Sequence, residues 1–193
     1  ICPYFSPEFK VIPQYIVMKE GECMELNNKT TNFFIFILSG EITISFEQYT
    51  NRPVLENEMF FLPKNNCFKW KAVTKTALIL TGYNTTTFPC TSARAGILYK
   101  IKGGVKFDCR GVVMKDEVKT VVNQMKHYLE SGINCHHMYI LKHKELYLMF
   151  KHFYTYEEIV QIFYLTLGSN PLFNERVLDN YLKVKTVKEL AGL

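Results

Sequence analysis

The chain has 193 residues, 48% hydrophobic and 15% aromatic, with a formal net charge of +5. This composition excludes a disordered tail and supplies a sizeable core for one domain, or a domain with an appendage. Charge is spread along the chain, with 13 basic and 9 acidic residues before Met114 and 10 and 9 after it, so no dense basic block exists to track a phosphate backbone.

The first half carries strand periods. Residues 15–18 and 23–26 flank a Glu20-Gly21-Glu22 turn. Residues 33–38 are continuously apolar, which suits a strand covered on both faces. Ser39-Gly40 then turns the chain. In residues 41–47, Ile42, Ile44 and Phe46 face one way and Thr43 and Ser45 the other, the period of a half-buried strand. Residues 59–62 form a short strand that Pro63 ends. Phe68, Trp70 and Ala72 share a face in residues 68–72, and residues 77–81 add one more strand. Residues 85–104 are poorly periodic, and 105–107 are expected as a short strand. Many short strands at near-regular spacing indicate a sandwich or small barrel.

From about Lys115 the period changes to that of helices. Val118, Val121, Val122, Met125, Tyr128 and Leu129 recur at three and four, and Gly132 ends that helix. A second helix is expected over residues 138–153. Thr155-Tyr-Glu-Glu158 is a capping box that starts a third, through about Leu167. Asn170-Pro171 reads as an N-cap with proline in the first turn, opening a fourth helix lined by Phe173, Val177, Leu178 and Tyr181. Thr186-Val-Lys-Glu189 is another capping box, and Leu190, Ala191 and Leu193 begin an apolar pattern that does not run on. So short a helix is marginal alone, so the chain is expected to be the front of a longer protein. No apolar run approaches the ~20 residues of a membrane helix.

The order of these parts and their local wording resemble AraC-type transcriptional regulators. Phe36-Ile-Leu-Ser-Gly-Glu-Ile42 is similar to the hairpin of that family's cupin-like barrel, and Glu56-Asn-Glu-Met-Phe-Phe-Leu-Pro63 to the strand that follows. Leu141-Lys-His-Lys-Glu-Leu-Tyr-Leu-Met-Phe-Lys-His-Phe-Tyr154 resembles the helix after the barrel in a Bacteroides-like subgroup. Val177-Leu-Asp-Asn-Tyr-Leu-Lys-Val-Lys-Thr-Val-Lys-Glu-Leu-Ala191 resembles the passage into the DNA-binding region. The resemblance implies an α+β chain: an N-terminal cupin-like β-barrel over residues 1–110 for effector sensing, then a C-terminal bundle of about four helices. Residues 111–185 would be the helical linker and dimerisation region, and residues 186–193 the start of a truncated helix-turn-helix DNA-binding domain. The resemblance places both recognition helices after residue 193, so DNA would be met only through the missing C-terminal domain. A small-molecule-binding cupin with no DNA role is the alternative.

Candidate site residues follow from chemistry. Metal-dependent cupins use a His-x-His pair, a Glu and a later His. All five histidines here, His127, His136, His137, His143 and His152, lie in the helical half, so an imidazole-rich site inside the barrel is not expected. No metal, no cofactor and no enzymatic activity are expected. Adjacent His136 and His137 point about 100° apart on a helix. His136 and His143 share a face two turns apart, and are expected on a solvated surface or in a satisfied polar contact. Phe36, Ile44, Phe61, Trp70 and Tyr83 are the candidates for an apolar effector pocket, with core filling as the competing role. Val118, Val122, Met125 and Leu129 must be buried on the barrel or on a second subunit, and are put forward as a homodimer interface. Six cysteines at 2, 23, 67, 90, 109 and 135 form no C-x-x-C pair, so free thiols in a reducing cytoplasm are expected over three disulfides. Asn28-Lys-Thr30 and Asn84-Thr-Thr86 match the glycosylation sequon, which matters only in a secreted protein.

Overall fold

The computed structural model describes residues 13–83, 98, 101–167 and 188. Nine strands come first: β1 (Gln14–Met18), β2 (Cys23–Asn28), β3 (Asn32–Ser39), β4 (Ile42–Phe46), β5 (Tyr49–Val54), β6 (Glu58–Leu62), β7 (Asn66–Ala72), β8 (Thr76–Tyr83) and β9 (Val112–Val113). Among the described residues, 98, 101 and 102 are helical ahead of β9, and three helices follow it, α1 (Asp116–Glu130), α2 (His136–Phe153) and α3 (Tyr156–Phe163). The fourth expected helix and the Thr186 capping box lie outside the described residues.

The strands form two antiparallel sheets, ordered β1-β8-β3-β6-β9 and β2-β7-β4-β5. Without the short β9, this is 1-8-3-6 facing 2-7-4-5. That order is the double Greek key of a jelly roll, the architecture of cupins. The expected cupin-like barrel is therefore present, joined to helices in an α+β fold. Two elements depart from expectation. Residues 49–54 pair with β4 despite Pro53, which is tolerated because β5 is the edge of its sheet. Residues 105–107 are not a strand; β9 instead adds to β6 through Met59↔Val112.

Alternation decides what each strand covers. On β4, Ile42, Ile44 and Phe46 are buried while Thr43 and Ser45 are half-buried. Between the sheets they meet Ile35, Ile37, Phe60, Leu62, Phe68, Trp70, Leu78 and Leu80. The first sheet is apolar on its other face too. There Phe34, Phe36, Met59, Phe61, Ile79 and Tyr83 pack against Val118, Val122, Met125, Tyr139, Leu146 and Phe150 of the helices. Strand β3 thus has no solvated face, as its unbroken apolar run requires.

The helix ends are set by local chemistry. Gly132 at φ 73° closes α1, with Gly132 N–H donating to the Leu129 carbonyl and Ile133 N–H to that of Tyr128, the Schellman pattern. Thr155 and Glu158 exchange both bonds of the capping box, Glu158 N–H to Thr155 Oγ1 at 3.2 Å and Thr155 N–H to Glu158 Oε2 at 2.8 Å. Tyr154 ties the end of α2 to the start of α1. Its hydroxyl accepts from Lys115 N–H at 2.8 Å and donates to the Val113 carbonyl at 3.1 Å.

Asn28 is 3% exposed and donates through Nδ2 to the Pro63 carbonyl at 2.6 Å. Its sequon is therefore closed to a glycosylating enzyme in the folded chain; Asn84 lies outside the described residues.

The turn glycines give a stability test. Gly40 has φ 81°, and a Cβ there would collide with the Lys75 carbonyl oxygen, whereas Gly21 at φ 78° faces open space. Gly21→Ala is expected to cost about 1 kcal/mol from backbone strain alone. Gly40→Ala should cost at least about 1 kcal/mol more. Urea unfolding of the two variants checks the difference.

Candidate functional site

The five residues put forward for an effector pocket do not share one space. Ile44 and Trp70 point between the sheets. Phe36, Phe61 and Tyr83 point the opposite way, into the helix-covered core. The division follows from strand alternation: on β3 and β6, every second residue belongs to the other face. Phe34 joins the second group, its ring centroid 4.9 Å from Phe61, 5.0 Å from Tyr83, 5.6 Å from Phe150 and 5.8 Å from Phe163.

The α1 stripe put forward for dimerisation is already covered. Val118 and Val122 are 0% exposed, as is Met125, and Leu129 packs on the same cluster. The first sheet and α2 occupy the surface that a second subunit would have needed.

Helix α2 turns a polar group inward. His136, Tyr139, His143, Leu146 and Phe150 recur at three and four residues and are all buried. His143 meets Thr81 of β8, with Nε2 and Oγ1 2.8 Å apart. Burial, then the neighbouring His136, lowers the His143 pKa from 6.5 to about 4. His136 is 6% exposed, its Nε2 has no hydrogen-bond partner among the described residues, and burial lowers its pKa too. Of the two expected settings, a solvated surface or a satisfied polar contact, the second holds for His143; neither holds for His136. The spacing of seven puts them on one face, but only the packing shows that this face is the inner one. Among the described residues no three His, Cys, Asp or Glu side chains converge on a metal position.

Among the described residues the space between the sheets is mostly apolar, and two nitrogens beside it lack a partner. Trp70 is 2% exposed, and its Nε1 has no hydrogen-bond partner among the described residues; the same is true of Arg52 Nε. Arg52 lies on β5, a strand that the sequence pattern does not reveal. Near it sits Cys109, fully buried at φ 57°, its thiol pushed up to about 12 by burial. A thiol in that state stays protonated and is a poor nucleophile. Cys23, Cys67 and Cys135 are exposed free thiols; Cys2 and Cys90 lie outside the described residues.

No family model matches the chain, and no curated protein matches it. Solved structures with similar parts include a conserved protein of unknown function from Streptococcus pyogenes, 19% identical with a TM-score of 0.35, the match covering 37% of this chain and 62% of that one. The cupin domain of Cnp3 from Schizosaccharomyces pombe is 22% identical with a TM-score of 0.37, over 48% of this chain and 63% of that one. A cupin with a double-stranded β-helix fold from Methanocaldococcus jannaschii is 19% identical with a TM-score of 0.35, over 37% and 68%. The chain thus spans less than two thirds of the first two. Among the described residues no helix is long and apolar enough to cross a membrane.

The His143–Thr81 contact yields a pH test. A histidine whose folded pKa is depressed to about 4 favours the fold above its unfolded pKa of about 6.5. That contribution is lost as pH falls from about 6.5 toward 4, and amounts to roughly 3 kcal/mol when fully lost. Unfolding free energy measured between pH 7 and pH 4.5 should fall more steeply in the native chain than in His143→Gln. Equal slopes would show that His143 is not buried as a neutral ring.

Proposed function

We propose that the chain is the effector-sensing and association region of an AraC-type transcriptional regulator, working by recognition rather than bond-making. The observation that carries this reading is the double duty of the first sheet. Ile35, Ile37, Phe60, Leu62, Leu78 and Leu80 line the space between the sheets. Their neighbours on the same strands, Phe34, Phe36, Met59, Phe61 and Ile79, carry the helices. Close-packed cores transmit small displacements rather than absorb them. A molecule bound between the sheets therefore shifts the seat of α1 and α2, and with it whatever follows the helices. The shift requires that the molecule bind two arrangements unequally.

The inter-sheet side chains are chemically suited to holding a molecule and not to transforming one. The described strands contribute no imidazole to that cluster, and Arg52, Trp70, Cys109 and Tyr49 bring the polar atoms beside its apolar side chains. Pairing as a homodimer then uses a surface other than the covered α1 stripe. DNA contact falls to the region that follows Leu193 in this reading.

The reading frame beyond Leu193 tests the proposal. About 100 further codons carrying two successive helix-turn-helix patterns are expected. A stop codon, or a following region without those patterns, would instead favour a small-molecule-binding cupin with no DNA role.

A further inference from the structure

The inter-sheet space is met by a pair of donors that no described residue satisfies. On the second sheet Ile44 pairs with Trp70 of β7 on one side and with Arg52 of β5 on the other. Directly paired residues put their side chains on the same face, and Ile44 and Trp70 are 0% and 2% exposed on the inward one. Arg52 therefore enters from the same row. Two strand spacings separate the Trp70 and Arg52 backbones, about 10 Å, a gap that an indole and a guanidinium arm narrow from both ends.

Trp70 Nε1 and Arg52 Nε are both buried without a hydrogen-bond partner among the described residues, while Arg52 as a whole is half-buried, so its guanidinium stands at the edge of the inter-sheet space. No carboxylate pairs with Arg52 among those residues; Asp108, close by, pairs with Arg110 at 3.1 Å. The neighbours of the guanidinium include the Tyr49 ring, 5.9 Å away, and Cys109. The Cys109 thiol, held protonated, supplies no counter-charge. Indole and guanidinium nitrogens only donate. A buried donor left unmet keeps its full desolvation cost, and that cost is larger where the donor is charged. The complementary partner is a group that only accepts and carries negative charge.

We infer that Arg52 and Trp70 form a binding site for a small monocarboxylate with an apolar body. The guanidinium takes the carboxylate, the indole N–H a further acceptor oxygen, and the body lies against the aliphatic and aromatic side chains around Ile44. This inference rests on the sensing role proposed above and names the chemical class of the effector.

Trp70 is the one tryptophan of the sequence, so tryptophan emission, excited selectively over the tyrosines, reports on the site in the unmodified protein. The chain is titrated with benzoate and hexanoate, and in parallel with benzamide and hexanamide. A saturable change in emission is expected for at least one acid, at a concentration tenfold or more below that of its amide. Arg52→Met should weaken that response at least tenfold. Should Arg52→Met fail to fold, Arg52→Lys keeps a cation but removes Nε and the fork geometry, and the acid response should weaken with circular dichroism unchanged. An acid and its amide acting alike, an Arg52 variant that responds as the native chain does, or no response to either acid would overturn the assignment. So would a ligand-soaked crystal structure with only ordered water between the two side chains. If amides bind as well as acids, sensing survives and the carboxylate class falls. If acids bind selectively but the reading frame lacks helix-turn-helix patterns, the site survives and the regulator falls.

Discussion

The structure depends on a strand that has no side facing water. On β3, Phe34 and Phe36 press into the helices, while Ile35 and Ile37 press into the second sheet, all four 0% exposed. Each such side chain contributes about 1.5–3 kcal/mol when fully buried. Half of that return is unavailable unless the helices are seated, and the other half unless the second sheet is. The jelly roll and the helical layer are therefore obliged to form together. Phe34 marks the centre of the arrangement, in ring contact with Phe36, Phe61, Tyr83, Phe150 and Phe163.

That constraint gives the proposed sensing role a physical route. Two cores separated by one sheet share their strands, so a volume change on one side is felt on the other. Polar groups sit sparingly on each side. Thr81 of β8 holds His143 of α2 on the helix side, and Arg52 and Trp70 stand on the inter-sheet side. A polar contact between tightly packed layers is directional in a way that apolar packing is not, because a misplaced buried donor loses its partner outright. It fixes one helix position among those that hydrophobic contact alone would permit.

Much of this is legible in the sequence, and the reasons are specific. Strict alternation in residues 41–47 and 68–72 gives both the strands and their buried faces. The unbroken run at residues 33–38 correctly indicates cover on both sides. The Thr155–Glu158 capping box and Gly132 place helix ends because those are local hydrogen-bonding patterns. Residues 49–54 escape such a reading because Asn51, Arg52 and Pro53 look like turn chemistry, and only sheet position reveals an edge that admits proline. The pocket candidates divide between two cores because an apolar run such as Met59 to Leu62 does not say which neighbour each side chain meets. The helix stripe of Val118, Val122, Met125 and Leu129 plainly needs cover, but a stripe names no partner. The His143–Thr81 contact joins residues 62 apart in the chain, and no local pattern encodes it.

Native-state hydrogen exchange across a denaturant series tests the central claim most directly. If the helices and the jelly roll share one core, the amides of Phe34, Ile35, Phe36 and Ile37 in β3 and those of Val121, Val122 and Met125 in α1 open together. Their free energies should then agree within about 1 kcal/mol and match global unfolding. Exchange of α1 through a separate opening several kcal/mol lower, with β3 still protected, would show that the helices are an appendage and would contradict the account.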